Sequence, residues 1–301
     1  MTVPPGLPTD WPFRAVSQSI TGAPHRWHVQ VLGQGQGQGR GRGMTGLRLH
    51  GAGGATQSWR GLAPLPARGC RVVMLDLPGE GFSRPGRRDR SGLDAMAEDI
   101  AALCAQAGRH PAAVIGHSAG AAIALRLAEM LPLRAVVGIN AAPGRFDGLA
   151  GLLFPFLARA LSVTPFVATR FARLTGTTER VTSRLASTGS GIGPEGIGPE
   201  GIEFYRRLVA RPEQFEGTLA MMAQWRLDEL LKRLLTISVP KLLLAATGDR
   251  TVPPAVSARA AGQLPAGAYR HLEGGHLVHE EAPQAVAALI LPFLARHLAA
   301  G

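Results

Sequence analysis

The residue with the clearest chemical capacity in this sequence is Ser118, which stands in Gly116-His117-Ser118-Ala119-Gly120. That is the G-x-S-x-G pattern of a nucleophile elbow. Its logic is steric: a serine held in a strained strand-to-helix turn needs small flanking residues, so that Oγ projects while strand and helix pack closely. In a chain with 39 glycines the pattern can arise by chance; its place between an apolar run and a helical stretch argues otherwise. A serine hydroxyl is a weak nucleophile at neutral pH and needs a base to take its proton. His276, in the turn Gly274-Gly275-His276, is the candidate. It lies downstream of both partners, as the order serine, acid, histidine requires. His279 is its local rival and reads instead as a capping or surface residue. The acid is expected in the turn after the preceding strand, where Gly248-Asp249-Arg250-Thr251-Val252-Pro253 supplies Asp249. There it would set the tautomer of His276 and stabilise the imidazolium; the plainer reading of Asp249 is an ordinary turn residue.

An attacked carbonyl develops negative charge on oxygen, which backbone N–H groups can stabilise by roughly 3 kcal/mol each. The candidates are the amide of Ala119 and one from His50-Gly51-Ala52-Gly53-Gly54, most simply Ala52. His50 and His117 read as structural. No metal site is expected: the histidines are scattered, H-E-x-x-H is absent, and neither Cys70 nor Cys104 has a ligand neighbour. No phosphate loop appears, and no cofactor is called for.

The elements that must position these residues follow from apolar runs and glycine stops. Arg26 to Leu32 alternates as a strand, Met44 to Leu49 leads into the His50 turn, and Arg71 to Leu77 runs into Pro78-Gly79-Glu80-Gly81. Between the first two, Gly33 to Gly43 is a Gln-Gly and Arg-Gly tract that reads as a mobile hairpin loop. A helix over Leu93 to Ala107, a strand over Ala112 to Gly116, a helix after Ser118 and a strand over Arg134 to Ile139 follow. Short apolar strands separated by helices imply an α/β fold with a mostly parallel central sheet flanked by helices. From Pro143 the strand pattern gives way to helical stretches until Lys241 to Ala246 and Ala268 to Leu272. Residues 1–142 and 240–301 therefore read as the core, and 143–239 as an inserted helical cap. Inside it Gly191-Ile192-Gly193-Pro194-Glu195 repeats at once as Gly196 to Glu200, which reads as a lengthened loop. One last helix is expected from about Glu280 to Leu298.

Composition narrows the class further. With 301 residues, 46% of them hydrophobic, the chain can bury a full core. Lys232 and Lys241 are the only lysines, so 30 of the 32 basic side chains are arginine, and the formal charge is +11. A GC-rich genome explains that bias most simply; attraction to an acidic partner or an anionic membrane face is the sharper reading. Arginines and aromatics do not cluster, so nucleic acid is not an expected partner. Two cysteines and no secretory signal point to the cytoplasm. No run of about 20 apolar residues is present to span a bilayer, though Leu152 to Phe171 is greasy enough for peripheral membrane contact.

Taken with Asp10-Trp11-Pro12, Arg26-Trp27-His28-Val29-Gln30, Asp76-Leu77-Pro78-Gly79, Ser187-Thr188-Gly189-Ser190-Gly191, Leu219 to Trp225 and Gly275 to Glu281, these features resemble the α/β hydrolases. Within them the chain is similar to the magnesium chelatase accessory protein of bacteriochlorophyll biosynthesis, the BchO type. Two stretches depart from that likeness, the Gly33 to Gly43 tract and the duplication, and Glu80 stands where histidine is usual. The resemblance implies an α/β-hydrolase fold, a role near magnesium insertion into protoporphyrin, and contact with magnesium chelatase subunits. Three functions fit: an esterase-like serine hydrolase acting on a bulky apolar ester or tetrapyrrole-like ligand; a non-catalytic porphyrin-binding or chaperone partner of the chelatase; and a cofactor-free perhydrolase using the same triad. In the cap, Phe154, Phe156, Met221, Met222 and Trp225 are candidates to line the pocket. Dehalogenase and epoxide hydrolase relatives would place aspartate at position 118.

Overall fold

The computed structural model describes residues 2–33, 44–65, 70–141 and 167–298. Along the described chain the strands are β1 (Ser17–Gly22), β2 (His25–Leu32), β3 (Met44–Leu49) and β4 (Cys70–Leu75), followed by helix α1 (Leu93–Gln106), β5 (Pro111–His117), α2 (Ala119–Leu127) and β6 (Ala135–Ile139). Five helices precede the next strand: α3 (Val167–Thr175), α4 (Thr178–Ser187), α5 (Pro199–Val209), α6 (Pro212–Gln224) and α7 (Asp228–Arg233). Then come β7 (Lys241–Ala246), α8 (Pro254–Gln263), β8 (Gly267–Leu272), α9 (Val278–Glu281) and α10 (Pro283–Leu298).

The eight strands form one sheet in the order β1-β2-β4-β3-β5-β6-β7-β8. β1 pairs antiparallel with β2 and β2 with β4, and every later pairing is parallel. β6 and β7 are buried along their whole length, as parallel strands covered on both faces must be. Alternation sorts the core into two layers. Val73, Leu75, Val114, Val136 and Leu243 face one cluster with Met96, Ile100, Ile123 and Leu125 of α1 and α2. Val72, Met74, Ile115, Val137 and Leu244 face the other, with Val286, Ile290 and Leu294 of α10.

Three expectations need correction. The expected hairpin of β2 and β3 is not formed: β4 lies between them, antiparallel to β2 and parallel to β3, and residues 34–43 lie outside the described residues. The edge strand β1 was not anticipated, since Ser-Gln-Ser-Ile-Thr-Gly has no apolar alternation to announce it. The last helix is broken into α9 and α10 at Ala282, whose φ of −135° lies outside the helical region; Pro283 disfavours that region for the residue before it.

The duplicated pentapeptide takes two conformations. In the first copy Pro194 and Glu195 form a turn, and Gly196 N–H donates to the Gly193 carbonyl at 3.0 Å. In the second, Pro199 opens α5 with Glu200 in its first turn, where proline's missing N–H and an acidic charge both suit a helix start. Ile197 is fully buried among Val181, Leu185, Ile202, Tyr205 and Leu277, whereas Ile192 only packs against that cluster.

Candidate active site

Ser118 sits at the junction of β5 and α2 with φ 51° and ψ −115°, a strained backbone held by the Ser118 N–H donating to Ile139 of the neighbouring strand at 2.9 Å. The two glycines of the motif are explained by contact. A Cβ on Gly116 would lie 2.1 Å from the Gly120 carbonyl oxygen, and one on Gly120 would lie 2.2 Å from that of Leu49. Helix and strands approach through backbone there, which leaves Ser118 half-buried at the surface of the turn.

Asp249 and His276 come from the turns after β7 and β8, and they meet. The Asp249 carboxylate, fully buried at its side chain, accepts from His276 Nδ1 at 2.8 Å. Its other oxygen accepts from the N–H groups of Thr251 (2.7 Å) and Val252 (2.9 Å). A carboxylate so held can only accept, so Nδ1 carries the imidazole proton and Nε2 presents a lone pair. Among the described residues the Ser118 hydroxyl makes no hydrogen bond. The two chains are joined one residue away: His117 Nε2 donates to the His276 carbonyl at 2.8 Å, and the rings of His117 and His276 lie 4.7 Å apart.

The amide of Ala119, first in α2, has no partner among the described residues, as befits a helix N-terminus. The amide of Ala52 is likewise free, and Ala52 is exposed. Its neighbour Gly53 is engaged, donating to Glu80 Oε1 at 2.8 Å. Glu80 Oε1 also accepts from Thr218 Oγ1 of α6 at 2.6 Å. Glu80 is completely buried, and burial pushes its carboxyl up, against the pull of His50, Thr218 and Gly53. His50 is structural as expected: Nδ1 donates to the Gly51 carbonyl (2.8 Å) and Nε2 accepts from Leu77 N–H (2.9 Å).

His279 is not a surface residue. It is fully buried, its ring centroid 4.3 Å from that of His117 and 4.9 Å from that of Trp59 in tilted contacts, and burial pushes its imidazole down to about 3. Burial likewise holds His117 well below the usual range. The reason is that the short α9 packs on the turn over residues 56–59, which encloses His279 between Trp59 and His117. Glu280 is buried between Arg60 and the Tyr205 hydroxyl, and Glu281 accepts from the N–H groups of Gly191 and Gly275.

Of the proposed pocket residues, Met221 is buried in the layer that carries α1 and α2, Trp225 packs half-buried against that layer, and Met222 is half-buried. Phe154 and Phe156 lie outside the described residues. Sequence reasoning missed Asn140, whose side-chain amide donates to the carbonyls of Gly275 (3.0 Å) and His276 (2.8 Å) while its oxygen accepts from Ala246 N–H (2.7 Å). An asparagine closing an apolar strand was the one available signal, and its φ of 46° suits asparagine.

A strand, a sharp serine turn and two further turns along one edge of a parallel sheet define a class, and the comparisons agree. A model of the alpha/beta hydrolase family matches residues 49–289, and the chain belongs to that family. Over 97% of its length it is 42% identical to the magnesium-chelatase 30 kDa subunit of Rhodobacter capsulatus, of which it covers 99%. Among solved structures, an alpha/beta hydrolase fold protein from Burkholderia ambifaria superposes with a TM-score of 0.71 at 21% identity, over 92% of this chain and 99% of that one. A thermophilic esterase from Thermogutta terrifontis does so with 0.69 at 22% identity, over 94% and 98%. Among the described residues no helix is long and apolar enough to cross a membrane, and no group of three His, Cys, Asp or Glu side chains forms a metal cluster.

Proposed function

We propose that this chain is a serine hydrolase of the carboxylic-ester type, acting on a bulky apolar ester, with Ser118 as nucleophile, His276 as base and Asp249 as the acid that orients it. The observation that carries the reading is the 2.8 Å contact between Asp249 and His276 Nδ1, one residue pair away from a serine held at positive φ beside a free amide. Ser118 Oγ bonds to the acyl carbon as its proton passes to Nε2. The oxyanion accepts from the Ala52 and Ala119 amides, and the protonated imidazole returns the proton to the departing alkoxide. Water repeats the sequence to release the acid and restore Ser118. That the hydroxyl makes no hydrogen bond to Nε2 among the described residues fits a hydroxyl rotor whose hydrogen bond forms with substrate.

In this reading residues 143–239 are the cap and select the substrate, with the half-buried Met222 a candidate to line its pocket. The relation to a magnesium-chelatase subunit supports association with that enzyme and a tetrapyrrole-like substrate class. The test is fluorophosphonate labelling of the purified full chain. Labelling at Ser118 that disappears in Ser118→Ala is the expected result. A wild-type chain that takes no label while folded, and whose Ser118→Ala form still supports the chelatase in full, removes the hydrolase reading in favour of porphyrin holding.

A further inference from the structure

The link that follows α4, Thr188 to Gly191, lies between the turn that carries Asp249 and the turn that carries His276, and it bonds to the residue just after each. The Thr188 carbonyl accepts from Arg250 N–H at 3.0 Å. Ser190 Oγ accepts from Leu277 N–H at 3.0 Å. The direction of the remaining protons is determined: Thr188 Oγ1 gives its hydrogen to the Leu185 carbonyl (2.6 Å), so the Ser190 hydroxyl donates to Thr188 Oγ1 (3.0 Å). Leu277, Ser190, Thr188 and Leu185 thus form one chain of donors and acceptors running from the histidine turn into α4, of the kind in which each bond strengthens the next.

The approach is backbone to backbone. Gly189, at φ 87°, has no room for a side chain, since a Cβ there would lie 1.9 Å from the Gly248 carbonyl oxygen. A Cβ on Gly275 would lie 2.2 Å from the carbonyl carbon of Gly189. Ser190 is buried, and Glu281 closes the same seam by accepting from both Gly191 and Gly275. No slack is left in this packing: a displacement of the link displaces the amides beside Asp249 and His276.

We propose that Ser190 is a positioning residue for the base, and that through it the seat of α4 and the helices packed with it is transmitted to His276. The inference rests on the hydrolase reading for its catalytic consequence, and on geometry alone for its effect on the imidazole. Two readouts therefore separate the failures. The first is the second-order rate of fluorophosphonate labelling at Ser118. The second is the downfield proton resonance of His276 Nδ1–H, assigned by its loss in His276→Gln.

Ser190→Ala is expected to slow labelling by between about tenfold and about a hundredfold, the range for small misplacements of a catalytic group, and to move the Nδ1–H resonance. Thr188→Val, which removes the acceptor of the Ser190 hydroxyl at nearly constant volume, is expected to shift both in the same direction and serves if Ser190→Ala does not fold. A folded Ser190→Ala or Thr188→Val chain with an unmoved Nδ1–H resonance overturns the proposal, whatever the labelling rate. A moved resonance in a chain that never takes label preserves the positioning role and sinks the hydrolase reading instead.

Discussion

Among the described residues the helices between β6 and β7 meet the sheet's edge along a histidine-side seam and an oxyanion-side seam, and the seams differ in the groups that burial keeps neutral. On the histidine side the contacts are carbonyls, amides, one buried hydroxyl and the carboxylates of Glu280 and Glu281, and two imidazoles kept neutral by burial, His117 and His279, lie beside His276. On the oxyanion side the contact is a buried carboxyl: Glu80 joins the Gly53 amide to Thr218 of α6, and Gln214 beside it accepts from Gly81 N–H and donates to the Gly54 carbonyl. Burial disfavours charge in both places. Acid therefore works against the two imidazoles of the first seam, which stay neutral by refusing protons, and favours Glu80 of the second, which becomes neutral by taking one.

The largest expected effect belongs to the histidine side. Asp249→Asn removes the acceptor that sets the His276 tautomer, and kcat for ester hydrolysis is expected to fall by about 10⁴ with the fold intact. On the oxyanion side, Glu80→Ala frees the Gly53 amide and loosens the turn that carries Ala52. The loss of kcat there is expected to stay within about 10²–10³, the range for losing one oxyanion donor, with KM little changed. If Glu80→Ala proves as damaging as Asp249→Asn, the two sides are not separable and the comparison fails.

The pH responses are smaller and opposite in sign. A buried imidazole with a depressed pKa contributes stability that is full above its ordinary value of 6.5 and is lost as pH falls toward about 3. Between pH 6.5 and about 4.5, where carboxylates of ordinary pKa remain charged, His279→Leu is expected to flatten the decline in unfolding midpoint. Part of the slope survives, because burial also lowers the pKa of His117 and of His25. Glu80 carries the reverse sign. Its raised pKa contributes stability present below 4.5 and lost as pH rises. Glu80→Gln keeps an acceptor for Gly53 and Thr218 without the charge, so its unfolding midpoint should equal or exceed that of the wild type at pH 7 and match it near pH 4. A Glu80→Gln chain less stable than wild type at pH 7 would show that the ionised carboxyl, and not its neutral form, is what this seam needs.

What the sequence disclosed and what it withheld divide along the range of the interactions. The turns that carry Ser118, Asp249 and His276 were legible because their glycines and flanking apolar runs are local, and the sheet was legible because buried parallel strands are continuous apolar runs. The break at Pro283 was also local and was overlooked in favour of a single long helix. Asn140, Ser190, Glu80 with Thr218, and the burial of His279 were not legible, since each depends on partners that lie between 87 and 220 positions away in the chain and that nothing nearby announces. Ser190 lay in a stretch singled out only for its likeness to relatives, with no physical reason attached; the hydrogen bond to Leu277 N–H supplies one.

The repeated Gly-Ile-Gly-Pro-Glu has a consequence for how this chain tolerates changes in length. Excising either copy yields the same protein, so what such an excision removes is a conformation and not a position. The remaining isoleucine can still enter the slot that Ile197 fills and the remaining proline can still open α5. The exposed turn at Pro194 and Glu195 is the part left without residues to form it. Five residues can thus come and go beside the Ser190 seam while both of the repeat's anchoring tasks stay filled.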